Sequence, residues 1–140
     1  MPKLYLDTSA ILRSILESGT SPDIETRIRS AEILLTSRLS TVEASRAINR
    51  LRQLGQVGET QLADVEREIE SLWSRCEVWE LTPAVCESAR RIAPNKLLRA
   101  LDALHLATFI LARQRISDLE MLTVDQRLQA AVGGTRNGSS

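Results

Sequence analysis

The chain has 140 residues, 43% hydrophobic and 26% charged, with a formal net charge of zero. That is enough for one core without metal or disulfide staples, and it excludes a polycation that grips nucleic acid through bulk charge. Lys3 and Lys96 are the only lysines, so nearly all the positive charge is arginine, which suits phosphate or carboxylate but also follows genome base composition. Cys76 and Cys86 fit no metal or redox spacing and read as free thiols of a reducing compartment. No apolar run reaches membrane-spanning length, and the first residues turn acidic too soon for a secretion signal. The expectation is a cytoplasmic protein with no membrane segment.

Leu4-Tyr5-Leu6 is a short buried strand that stops at Asp7-Thr8-Ser9, and helical spacing continues through Ile11 and Ile15. A break at residues 18–22 precedes a short helix over 23–30, and residues 33–37 read as a second buried strand. Ser40 opens a long helix with Ala44, Ile48 and Leu51 on one side, ended by Gly55 and Gly58. The next helix, about 59–75, sets Leu62, Val65, Ile69 and Leu72 opposite a charged, solvated face. Residues 77–81 form a third strand, Thr82-Pro83 opens a helix by N-cap then proline, and Pro94 ends it. Residues 97–112 are apolar on nearly every face, the pattern of a buried helix. A fourth strand over 119–123 and a helix over 126–132 follow. The domain is expected over 1–133, with 134–140 a disordered tail. Strands alternating with helices indicate an α/β fold with a parallel sheet, where functional groups collect beyond the carboxyl ends of the strands.

Four acids stand out. Asp7 and Asp125 follow strands, Glu43 begins the helix after the second strand, and Asp102 sits within the apolar helix. Carboxylates converging at such a place hold hard divalent cations. Each of three has a structural alternative. Asp7 and Asp125 are possible N-caps, and Ser40-Thr41-Val42-Glu43 matches the S-x-x-E capping box. Asp102, read as mid-helix, has no cap to serve; its alternatives are an ion pair with Arg99 or a hydrogen bond with His105. His105 reads as a packed or Asp102-orienting residue rather than a ligand. Like carboxylates ~4 Å apart repel by ~4 kcal/mol per pair at an effective dielectric of ~20, so a true cluster needs a cation or a raised pKa. There is no phosphate-binding glycine loop, dinucleotide fingerprint or serine elbow. Asp7-Thr8-Ser9 also lacks the second acid of a phosphoacceptor D-x-D pair.

Leu4-Tyr5-Leu6-Asp7-Thr8-Ser9, Ser40-Thr41-Val42-Glu43, Arg99-Ala100-Leu101-Asp102-Ala103-Leu104-His105 and Leu122-Thr123-Val124-Asp125 together resemble a PIN domain. Size and element order resemble the VapC-type toxin ribonucleases of toxin–antitoxin pairs, over about residues 3–133. The resemblance implies a three-layer fold with a parallel sheet of four or five strands. It implies a metal-dependent endoribonuclease in which Asp7, Glu43, Asp102 and Asp125 hold Mg²⁺ or Mn²⁺, with Thr8, Ser9 and Thr123 as supporting hydroxyls. It further implies an RNA substrate, a homodimer and a cognate antitoxin docked in a helix-lined groove, with helices around 11–15 and 48–72 as candidate walls. Arg13, Arg38, Arg46 and Arg50 lie near these elements as candidate phosphate contacts. The alternative is a PIN-fold module that binds RNA or a partner without cleaving.

Overall fold

The computed structural model describes residues 1–137. In chain order the elements are β1 (Lys3–Leu6), α1 (Thr8–Leu16), α2 (Pro22–Ser30), β2 (Ile33–Ser37), α3 (Arg38–Leu54) and α4 (Glu59–Arg75). Then come β3 (Glu77–Trp79), α5 (Pro83–Ala89), α6 (Ala100–Arg115), β4 (Leu119–Leu122) and α7 (Gln126–Asn137). The four strands form one parallel sheet in the order β3-β2-β1-β4, with Leu4 paired to Leu34 on one side and Glu120 on the other. Four is the lower of the two expected strand counts.

Alternate residues of β1 face opposite layers, as the period of a strand requires. Tyr5 joins Leu35, Leu106, Phe109, Met121 and Leu128, where α6 and α7 cover the sheet. Leu4 and Leu6 join Ile11, Ile28, Leu34 and Leu72 beneath α1, α2 and α4. A third cluster ties α3 to α4 through Ala44, Ile48, Leu62, Val65 and Ile69. The result is three layers. The chain builds outward from β1 through β2 to β3, then crosses back so that β4 lies on β1's other side. Helices α1 and α7 therefore leave neighbouring strands toward opposite faces, which opens a crevice at the carboxyl ends of β1 and β4.

Several expectations about element ends are corrected; β3 stops at Trp79 and not at residue 81, and the helix opened at Pro83 stops at Ala89, before Pro94. The sixth helix starts at Ala100, not near Leu97: Lys96 N–H and Leu98 N–H close turns onto Ala93 O and Lys96 O after Pro94. These turns leave Leu97 90% exposed while Leu98 packs against the core. The helix after β2 starts at Arg38, because the Ser37 hydroxyl caps it by accepting from Leu39 N–H at 3.0 Å. The last helix runs past Val132 to Asn137, so the expected irregular tail is helical through that residue. The rest of that tail, residues 138–140, lies outside the described residues.

Candidate active site

Asp7, Glu43, Asp102 and Asp125 line one open cleft of about 1340 Å³, together with Thr8, Ser9 and His105. Each acid comes from a different element. Asp7 follows β1 and caps α1, accepting from Ala10 N–H at 3.0 Å. Asp125 follows β4 and caps α7, its Oδ1 accepting from Arg127 N–H and Leu128 N–H at 2.9 and 3.2 Å. Asp102 is the third residue of α6, not mid-helix as expected. Three of the four acids therefore sit at helix N-termini, where the positive end of the helix dipole favours a carboxylate. Capping and ligation are compatible, because a carboxylate offers about four lone-pair sites and the caps use only some of them.

Asp7 is nearly buried, 4% exposed. Thr123 Oγ1 donates to its Oδ2 at 2.6 Å, and the Ser9 hydroxyl lies within 2.9 Å of both its oxygens. Ser9 Oγ in turn accepts from Val124 N–H at 3.1 Å, and Thr123 Oγ1 from Asp125 N–H at 3.0 Å. These bonds lock the segment after β4 onto the end of β1. Burial pushes the Asp7 carboxyl above its usual value, and the donors from Thr123, Ala10 and Ser9 offset only part of that rise.

Glu43 is not the end of a capping box. Ser37 holds the cap, which places Glu43 in the second turn of α3. Its Oε1 accepts from Thr8 Oγ1 at 2.6 Å and lies 2.7 Å from His105 Nε2. Burial acts to raise the Glu43 carboxyl, but the His105 and Thr8 bonds outweigh it and hold the group below its usual value. His105 thus serves Glu43, not Asp102, and its other nitrogen lies 2.8 Å from the Tyr5 hydroxyl. Of the supporting hydroxyls, Ser9 and Thr123 hold Asp7 while Thr8 holds Glu43. Sequence reasoning missed Tyr5, which looked like ordinary core, and it read Ser40 as a helix cap, whereas its buried hydroxyl lies 2.8 Å from Thr36 Oγ1 and 3.3 Å from Thr8 Oγ1. No local pattern marks these contacts, which join residues of different elements.

Asp102 is half-buried in the cleft and, among the described residues, has neither a hydrogen-bond nor an ion-pair partner. The alternative of an ion pair with Arg99 is not realised. Four carboxylates lining one cleft offer hard oxygens, which fit Mg²⁺ or Mn²⁺ better than a soft metal. Among the described residues, however, no three His, Cys, Asp or Glu side chains stand close enough together to hold an ion as they are. Coordination would need side-chain rotation, which Asp102 is free to make and Asp7 is not. Of the expected groove walls, Ile11, Ile48, Leu62, Val65 and Ile69 are buried core, while Leu12 and Leu51 from the same stretches, with Leu16, line the cleft.

No helix among the described residues is long and apolar enough to cross a membrane. The chain is 32% identical over 109 residues to Ribonuclease VapC45 of Mycobacterium tuberculosis, covering 77% of this chain and 75% of that one. The fold superposes on the crystal structure of PAE2754 from Pyrobaculum aerophilum with a TM-score of 0.67, at 23% identity, over 95% of this chain and 81% of the other. It also superposes on VapBC2 from Rickettsia felis, solved bound to a promoter DNA fragment, with a TM-score of 0.58 at 12% identity over 87% and 98% of the two chains. The family model for the PIN domain matches residues 4–133, and the chain belongs to the PIN-domain family, among relatives of the VapC type.

Proposed function

We propose that the protein is an endoribonuclease that hydrolyses RNA phosphodiester bonds at the four-acid cleft, and that it is the toxin of a toxin–antitoxin pair. The observation that carries the chemistry is the convergence of Asp7, Glu43, Asp102 and Asp125, from four separate elements, on one cleft. The ribonuclease name of the M. tuberculosis relative supports the activity, and the likeness to VapBC2 supports an antitoxin partner. Bound Mg²⁺ or Mn²⁺ would supply an activated water and stabilise charge at the phosphate. Asp7 would be a fixed ligand, held by Ser9 and Thr123. Glu43 would be kept ionised by Thr8 and His105, and Asp102 and Asp125 would close on the ion from the N-termini of α6 and α7. A homodimer in the cytoplasm completes this reading.

The separation of the acids favours a second reading, a PIN-fold module that binds RNA without cleaving it. One experiment separates the two: incubate total RNA with wild type and Asp102→Asn, with Mn²⁺ and with EDTA. The nuclease reading expects wild-type cleavage with Mn²⁺ alone and its loss in the variant. Cleavage that survives both the substitution and chelation sinks the metal site. Binding without cleavage under every condition selects the module.

A further inference from the structure

A cleft lined by four carboxylates repels the polyanion it is proposed to cut, and a chain of zero net charge supplies no long-range attraction to offset this. Local cations must do so, and most arginines near the cleft are engaged. Arg13 pairs with Glu17 at 2.7 Å, and Arg38 pairs with Glu80 at 2.6 Å. Arg52 lies 3.0 Å from both Glu59 and Glu66. Arg46 and Arg50 differ. Both are exposed, both line the cleft, and among the described residues neither side chain has an ion-pair or hydrogen-bond partner.

They follow Glu43 on α3 at spacings of three and seven, so all three share one helix face. The row begins at the acids and runs outward along the cleft wall. With a rise of about 1.5 Å per residue, Arg46 and Arg50 stand ~6 Å apart along the helix axis. That matches the separation of successive phosphates along one extended strand. An exposed, unpaired guanidinium offers the bidentate fork that phosphate accepts.

Resting on the ribonuclease reading above, we infer that Arg46 and Arg50 hold two successive phosphates of single-stranded RNA beside the one cleaved at the acids. They act on the backbone, so they raise affinity for all sequences alike and do not choose the cleavage site.

The test compares wild type, Arg46→Gln/Arg50→Gln, and the charge-matched control Arg67→Gln/Arg90→Gln, whose side chains do not line the cleft. Binding of a fluorescent single-stranded RNA oligonucleotide is followed by anisotropy in EDTA across a salt series, and cleavage is followed with Mn²⁺. Thermal melts establish that each variant is folded. The cleft variant is expected to lose affinity on the order of tenfold per arginine, and its salt slope to fall by about 0.7 per phosphate contact removed. KM should rise more than kcat falls, with the control near wild type. If wild type cleaves RNA and the cleft variant binds and cleaves equally well, the phosphate track is overturned while the nuclease reading stands, and a protein partner becomes the better use of these arginines. Arginine-dependent binding without cleavage supports the track and sinks hydrolysis. A wild type that neither binds nor cleaves RNA overturns both.

Discussion

His105 Nε2 lies 2.7 Å from Glu43 Oε1, joining α6 to α3 across 62 residues of chain. Behind it the Tyr5 hydroxyl is 2.8 Å from His105 Nδ1. Burial, with Asp7 adding to it, pushes the Tyr5 hydroxyl well above its usual value, so it stays protonated and is able to donate to Nδ1. With Nδ1 accepting from Tyr5, Nε2 is the nitrogen that donates to Glu43. A residue of the sheet core thereby sets the direction of a hydrogen bond in the cleft.

Tyr5→Phe keeps the packing but leaves Nδ1 of a buried histidine without its donor. We expect a loss of ~1–2 kcal/mol in urea unfolding, together with reduced RNA cleavage as Glu43 loses a fixed donor. Unchanged stability and activity would remove Tyr5 from this chain of bonds.

Asp7 and Glu43 should respond to pH with opposite sign. The folded Asp7 carboxyl is raised by burial, so between its unfolded and folded values the folded chain binds more protons and stability falls as pH rises. At neutral pH its charge is a net cost, and Asp7→Asn should melt at or above the wild-type temperature in EDTA. The folded Glu43 carboxyl is lowered by His105 and Thr8 against the effect of burial. Its contribution is present above the unfolded value and is lost as pH falls through the folded one. Glu43→Gln should therefore melt below wild type at pH 7, with the gap closing in acid. Melting curves from about pH 3 to 7 check both signs, and parallel profiles for the two variants would contradict this account.

Divalent metal should stabilise the folded chain. Mn²⁺ or Mg²⁺ at about 100 times its Kd is expected to add ~2.7 kcal/mol by linkage. Asp102→Asn should abolish most of that shift while changing metal-free stability by no more than ~1 kcal/mol, since only the interaction with the α6 N-terminus is weakened. Differential scanning fluorimetry with and without EDTA reads both quantities. No shift at millimolar metal would contradict the ligand assignment.

Ser37, not Ser40, caps α3. Ser37→Ala should cost ~1 kcal/mol or more in thermal unfolding, since the hydroxyl is fully buried. A larger effect on helix content from Ser40→Ala, followed by circular dichroism, would restore the capping-box interpretation of Glu43.

Strand–helix alternation, the apolar triplet Leu4-Tyr5-Leu6 and the spacing of the four acids were legible because each depends on local period and residue type. The start of α6 was not legible for the same reason. Apolar composition continued back to Leu97, while the turns after Pro94 send Leu97 into solvent and bring Asp102 to the first turn. Asp102 is thus no mid-helix anomaly but a half-buried carboxylate without a partner among the described residues.

From sequence alone came the fold class and the four acids as site candidates, since hydrophobic period and residue chemistry are local properties of the chain. Only the tertiary structure decided which hydroxyl serves which carboxylate, that His105 answers to Glu43, and that Arg46 and Arg50 stay unpaired among the described residues while Arg13 and Arg38 are taken. Those outcomes rest on contacts between residues far apart in the chain, such as Tyr5 with His105 and Asp7 with Thr123. Only the packing of helices on a particular strand order brings such groups within hydrogen-bonding distance, and no local pattern encodes that distance.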